Sequence, residues 1–159
     1  MKKLFLVPVF LIAIGLLSCS KTETDQTYPE INMEEAGAFP LNCDTLWIGQ
    51  SFSFKALLHD NNQLGSYSLE IHNNFDHHTH STDVAECTFD PDKTPVNPFL
   101  FIQEYPIPEG LQDYSADRSI TIPVGVDHGD YHFMIRLTDA EGWQTIKGIS
   151  VKLAELDGN

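Results

Sequence analysis

Basic residues are scarce in this chain: Lys and Arg total 9 against 23 Asp and Glu, giving a formal charge of −14. A surface of that sign repels phosphate backbones and argues against nucleic acid as a partner. The acidic excess can draw cations to the surface, although most charge of this kind simply keeps an exterior solvated. Long stretches of helical periodicity are missing as well. So are the motifs of common catalysis, with no Gly-x-Ser-x-Gly elbow, no phosphate loop and no His-Glu-x-x-His pair. Enzyme activity is therefore not expected. Cysteine is sparse too, with 3 residues and no Cys-x-x-Cys spacing to suggest a thiolate metal site.

The N-terminus carries a strong signal. Lys2 and Lys3 precede an apolar run from Leu4 to Leu17, followed by Ser18 and Cys19. This is the order of a secretory leader, and the run is short of the ~20 residues a membrane span needs. Leu16-Leu17-Ser18-Cys19 resembles the bacterial lipobox, which implies cleavage before Cys19 and a lipid on its thiol. The alternatives are an uncleaved anchor, or an ordinary leader with a cysteine there by chance. The organisation expected is a signal peptide over 1–18, a lipidated N-terminus and polar tether over 19–27, and one domain over 28–156. Lys21 with its acidic neighbours also resembles the export signal of surface lipoproteins in Bacteroidota. Loss of Lys2 and Lys3 with the leader takes the formal charge from −14 to −16 and leaves enough chain for one core. The expected location is the cell envelope, anchored to the outer membrane through Cys19, with an outer-membrane receptor or transporter as a further partner.

Cys43 and Cys87 remain as an even pair in an oxidising compartment. A disulfide between them would close a loop worth roughly 3–4 kcal/mol of chain entropy. Free thiols or thiolate ligands are the other readings. Between and beyond them run short alternating segments bounded by turn residues: 28–32, 50–59, 64–72, 99–107, 119–126, 130–139 and 143–153. A long polar excursion spans 73–98. Seven short strands without a helix predict an all-β, immunoglobulin-like antiparallel β-sandwich. Asp127-His128-Gly129-Asp130-Tyr131-His132-Phe133 resembles the Asp-x-Gly-x-Tyr-x-Cys signature that opens strand F of immunoglobulin-like domains, whose tyrosine makes a corner hydrogen bond. Phe133 stands where that cysteine would be, so the usual inter-sheet disulfide is not expected. A Cys43–Cys87 bridge would instead tie the excursion to the segment entering strand B.

The chain as a whole is similar to the small immunoglobulin-like lipoproteins of Bacteroidota grouped as domain of unknown function 4625. The residues that carry the likeness are the lipobox, the segment 60–72 with the following Asn74-Phe75-Asp76-His77-His78-Thr79-His80, and Leu137-Thr138-Asp139-Ala140-Glu141-Gly142-Trp143. The resemblance implies a surface or periplasmic lipoprotein and supplies no activity.

Six of the 7 histidines fall at two places: His72, His77, His78 and His80 near the end of strand C, and His128 and His132 near the start of strand F. Strands C and F are antiparallel neighbours in such a sandwich, so these places adjoin. If Tyr131 and Phe133 face inward, His132 faces outward, and Tyr67, Leu69 and Ile71 inward likewise put His72 outward. Cross-strand Cβ atoms at opposed positions lie roughly 4.5–5.5 Å apart, close enough for two imidazoles to share an ion. An extended His78-x-His80 would add ligands from one side. His77 and His128 are further candidates, although His128 joins only if the chain turns at Gly129. Glu70, Asp76 and Asp130 are carboxylates placed to steady an imidazole. Zn²⁺ or Cu²⁺ is the expected ion, because imidazole suits both, and Met134 could favour copper. The sober alternative is a solvated histidine-rich loop.

Two other readings compete. Trp47, Trp143, Tyr105 and Tyr114 could serve a glycan- or protein-binding accessory of an uptake system, although aromatics more often plug a core. Asp60 and Asp139 close similar turns and Glu30 follows Pro29, an arrangement similar to calcium sites between cadherin-like repeats. Those sites are completed by a second domain, which a single domain does not provide.

Overall fold

The described residues form eight strands, most of them alternating apolar and polar residues: β1 (Glu30–Asn32), β2 (Thr45–Trp47), β3 (Ser51–His59), β4 (Leu64–Asn73), β5 (Phe101–Pro106), β6 (Asp113–Thr121), β7 (Gly129–Asp139) and β8 (Gln144–Ala154). The computed structural model describes residues 25–80, 82 and 87–156. The leader and Cys19 lie outside the described residues. One sheet runs β1-β3-β6 and the other β2-β8-β7-β4-β5. In β7, Tyr131, Phe133, Ile135 and Leu137 point inward and are fully buried, as are Tyr67, Leu69 and Ile71 of β4. Phe54 and Leu58 of β3 and Ile120 of β6 close the core from the facing sheet. Period-two burial on both inner faces is the pattern of a β-sandwich.

The tyrosine corner is present. Tyr131 donates its hydroxyl proton to the Asp127 carbonyl at 2.7 Å and accepts the Phe99 N–H at 3.1 Å. Burial pushes the Tyr131 hydroxyl up to about 12, so it stays a donor. The Cys43–Cys87 disulfide is also formed, with Cα atoms 5.4 Å apart. Cys43 donates its N–H to the Ser150 carbonyl at 2.8 Å, so the bridge lands ahead of β2, on the margin of β8.

Seven strands were expected; β2 is an additional one and β6 is displaced. β2 has only three residues, too few to show alternation, and it pairs parallel with β8 in an otherwise antiparallel fold. β6 begins and ends earlier than 119–126. Arg118 occupies one of its inward positions, which hides the pattern; its guanidinium donates to Tyr114 Oη at 3.2 Å and lies 4.9 Å from the Tyr105 ring centre. β5 pairs with the free edge of β4, in the larger sheet.

The excursion after β4 is held down at several points. Asp130 Oδ2 accepts the Asp90 N–H at 2.7 Å, and Lys152 pairs with Asp90 at 2.7 Å. Asp127 Oδ2 accepts the N–H groups of Val96 and Asn97 at 2.7 and 2.8 Å. These bonds and the disulfide fix the loop end of the larger sheet. No helix among the described residues is long and apolar enough to cross a membrane.

Candidate metal centre

The register of β4 against β7 sets His72 directly opposite His132. Both side chains leave the outer face of the larger sheet, because their neighbours Ile71 and Phe133 are buried within the sandwich. An outward residue in the middle of a sheet would normally meet water. His132 is instead only 1% exposed. The cover is the chain leaving β4, which turns back across the strands.

That return begins at His77, whose backbone adopts a left-handed φ of 51° and whose N–H donates to the Asn74 carbonyl at 3.2 Å. Such a conformation is uncommon outside glycine and serves here to reverse the chain. Beyond it, Thr82 is fastened to β8 at Gly148, whose carbonyl accepts the Thr82 N–H at 2.8 Å. A Cβ atom on Gly148 would sit 2.1 Å from the His80 carbonyl oxygen and 2.8 Å from Met134 Sδ. Only glycine lets the loop lie this close to the strand.

His78 and His80 are thereby lowered onto His72 and His132. All six ring pairs among the four have centroids between 4.8 and 5.6 Å apart, the closest being His78–His80 and the widest His72–His78. One ligand nitrogen from each of His72, His78 and His80 lies within 4.8 Å of the others. His80 Nδ1 approaches His72 Nε2 to 3.3 Å.

Each ring but His80 has an oxygen partner on its other side. His78 Nδ1 is 2.5 Å from Asp76 Oδ1, which leaves Nε2 free. His72 Nδ1 lies 2.9 Å from Glu70 Oε1, within ion-pair range although outside hydrogen-bond geometry. His132 Nε2 donates to the His78 carbonyl at 3.0 Å. With the proton on Nε2, His132 Nδ1 keeps its lone pair, and that atom is buried without a hydrogen-bond partner. An imidazole steadied through one nitrogen and bare at the other is the arrangement that metal-bound histidines use.

The family now bears on the reading. The model of the family described as Domain of unknown function (DUF4625) matches residues 17–154. The chain belongs to this family. No curated protein matches it. Membership in DUF4625 carries no activity.

Electrostatics adds one element. Burial pushes the His132 imidazole below its ordinary pKa, with the neighbouring histidines acting in the same direction against the His78 carbonyl bond. His72 is lowered for the same leading reason, opposed by Glu70. Both rings are therefore neutral at pH 7, the form that can bind a metal.

The remaining candidates lie elsewhere. His77 turns to the other side of the loop, with Nδ1 2.8 Å from Asp92 and its ring stacked on Phe89 at 4.9 Å. His128 is exposed, and its carbonyl accepts from Lys93. Asp130 pairs with Lys152 and is spent on the excursion. Of the three expected carboxylates, Glu70 and Asp76 stand beside the cluster. The aromatic set does not gather into one strip: Tyr105 and Tyr114 pack around Tyr67, Trp143 packs on Tyr28, and Trp47 is exposed on β2. Gly148 escaped the sequence reading. The available signal was a glycine inside an alternating strand, which marks a close backbone approach.

Proposed function

We propose that this protein is a cell-envelope lipoprotein that binds a divalent transition metal, zinc or copper, through His72, His78, His80 and His132. The observation that carries the reading is the unpartnered, buried Nδ1 of His132 within a group of four mutually adjacent imidazoles. A solvated loop would spread its histidines into water, where each nitrogen finds a partner without cost. Three nitrogen donors within 4.8 Å of one another, from His72, His78 and His80, with the His132 ring beside them, suit zinc, and imidazole equally suits copper. The role read from this cluster is sequestration or delivery of the ion. A lipid on Cys19 would hold the site near an uptake system and raise its effective concentration there.

The test is metal analysis of protein purified without a histidine tag, followed by Zn²⁺ and Cu²⁺ titration at neutral pH. One equivalent should bind, and His132→Ala or His78→Ala should remove it while His128→Ala leaves it intact. Absence of binding to the unaltered protein at neutral pH would refute the reading.

A further inference from the structure

The opposite end of the same two strands has a different chemistry. There the turn between β3 and β4 lies against the turn between β7 and β8. Asp60 Oδ1 caps the first, accepting the N–H groups of Asn62 and Gln63 at 2.9 and 2.7 Å. Asp139 Oδ1 caps the second, accepting those of Gly142 and Trp143 at 2.6 and 2.7 Å. The turns are stitched together by Ala140 N–H to the Gln63 carbonyl at 2.9 Å and by Asn62 Nδ2 to Glu141 Oε1 at 2.8 Å. The N-terminal segment then reaches the same place. Trp143 Nε1 donates to the Asp25 carbonyl at 2.9 Å, and Tyr28 packs on the indole at 5.0 Å.

One carboxylate oxygen from each of Asp25, Asp139 and Glu141 lies within 4.8 Å of the others. Acidic groups meet often, and proximity alone would mean little. The deciding observation is that Asp139 is 3% exposed and its Oδ2 is buried with no hydrogen-bond partner. Oδ2 of Asp25 and of Asp60 are buried and unpartnered too, Asp60 being 1% exposed. None of these four residues forms an ion pair with Lys or Arg among the described residues. Each of these carboxylates spends one oxygen on backbone or amide donors, and the second oxygens of Asp25, Asp60 and Asp139, buried without a donor, are costly unless a cation joins them.

We propose that this end binds Ca²⁺, with Asp25, Asp139 and Glu141 as ligands and Asp60 beside them, clasping the N-terminal segment onto the two turns. All the donors are hard oxygens, which excludes a preference for softer ions. Calcium accepts six to eight oxygens in irregular geometry at about 2.3–2.6 Å, so oxygens sharing it can be about 5 Å apart. Magnesium demands a tighter octahedron at about 2.0–2.1 Å, with shared oxygens no more than about 4.2 Å apart. The site uses no histidine and stands or falls separately from the transition-metal reading.

Terbium, a luminescent stand-in for calcium, tests this in detergent-purified full-length protein. Trp143 should sensitise its emission, Ca²⁺ should quench it by displacement in the range of about 10⁻⁴–10⁻³ M usual for extracellular modules, and Mg²⁺ at the same concentration should not. Trp143→Phe should abolish the signal and Trp47→Phe should keep it. Asp25→Asn and Glu141→Gln should each weaken Ca²⁺ at least about tenfold, without lowering the melting temperature measured in EGTA. His132→Ala should leave Ca²⁺ binding unchanged. Unaltered affinity in the Asp25→Asn, Glu141→Gln double variant, or no Ca²⁺-dependent change in the parent protein, would overturn the proposal.

Discussion

Gly148→Ala is the sharpest perturbation of the histidine cluster, because it touches none of the four rings. The new Cβ would stand 2.1 Å from the His80 carbonyl oxygen, and ordinary carbon–oxygen contact is ~3.3 Å, so the loop must retreat by more than ~1 Å. The obstacle is backbone, and β8 cannot yield easily because Ile149 and Val151, which follow Gly148, are buried in the core. Retreat also strains the Thr82 N–H bond to the Gly148 carbonyl, at a cost of about 0.5–1.5 kcal/mol. Replacing a strand glycine with alanine returns about 0.5–1 kcal/mol of backbone entropy. The two nearly cancel, so the melting temperature should move by only a few degrees. Metal binding should fall far more, by at least about 100-fold, since His78 and His80 are lifted from His72 and His132 together. Competition against a coloured zinc chelator measures the affinity, and calorimetry the stability. Zinc affinity equal to that of the parent, at an unchanged melting temperature, would refute the view that the loop supplies ligands.

Three further outcomes are expected. Metal-free protein should lose stability as pH falls below 6.5, because His72 and His132 take up protons less readily folded than unfolded. Unfolding then gains protons, so stability rises with pH across the window below 6.5, and denaturant titrations at pH 5 and 7.5 should show it, with His132→Gln flattening the difference. Tyr131→Phe removes the corner bond and leaves the Phe99 N–H without its acceptor, which should cost about 1–3 kcal/mol in urea unfolding. Replacing Cys43 and Cys87 by serine should lower stability by roughly 3–4 kcal/mol in the same assay, and a change below ~1 kcal/mol would show that the excursion is held by its hydrogen bonds alone.

Much of the architecture is legible in the residue order. The alternation through Phe52–Leu58 and Tyr67–Ile71, and the Asp127–Phe133 signature, place β3, β4 and β7 with their correct inner faces. From that parity alone His72 and His132 can be set on one outer face, as the register bears out. What the order does not reveal is how a loop settles. His77 looks like a member of the cluster until its left-handed backbone is seen to turn it away toward Asp92. Asp25 lies far from Asp139 in sequence and shares no pattern with it; only the packing of Trp143 and Tyr28 brings the N-terminal segment to the turns. In the proposed calcium site that segment takes the part for which a second domain was expected to be needed. β2 is too short to show in the residue order, and β6 carries Arg118 where an apolar residue would mark its face, which displaces its apparent span.

The pairing of β4 with β7 has a consequence for how the molecule would be loaded. Leu64 is opposite Asp139 at one end of the ladder and His72 is opposite His132 at the other. Eight residues of extended chain hold these ends roughly 26 Å apart. At physiological salt the Debye length is about 8 Å, so two bound cations so placed would scarcely feel one another. If both proposed sites bind their ions, the strand pair would act as an insulator, and a change in calcium would not evict the transition metal.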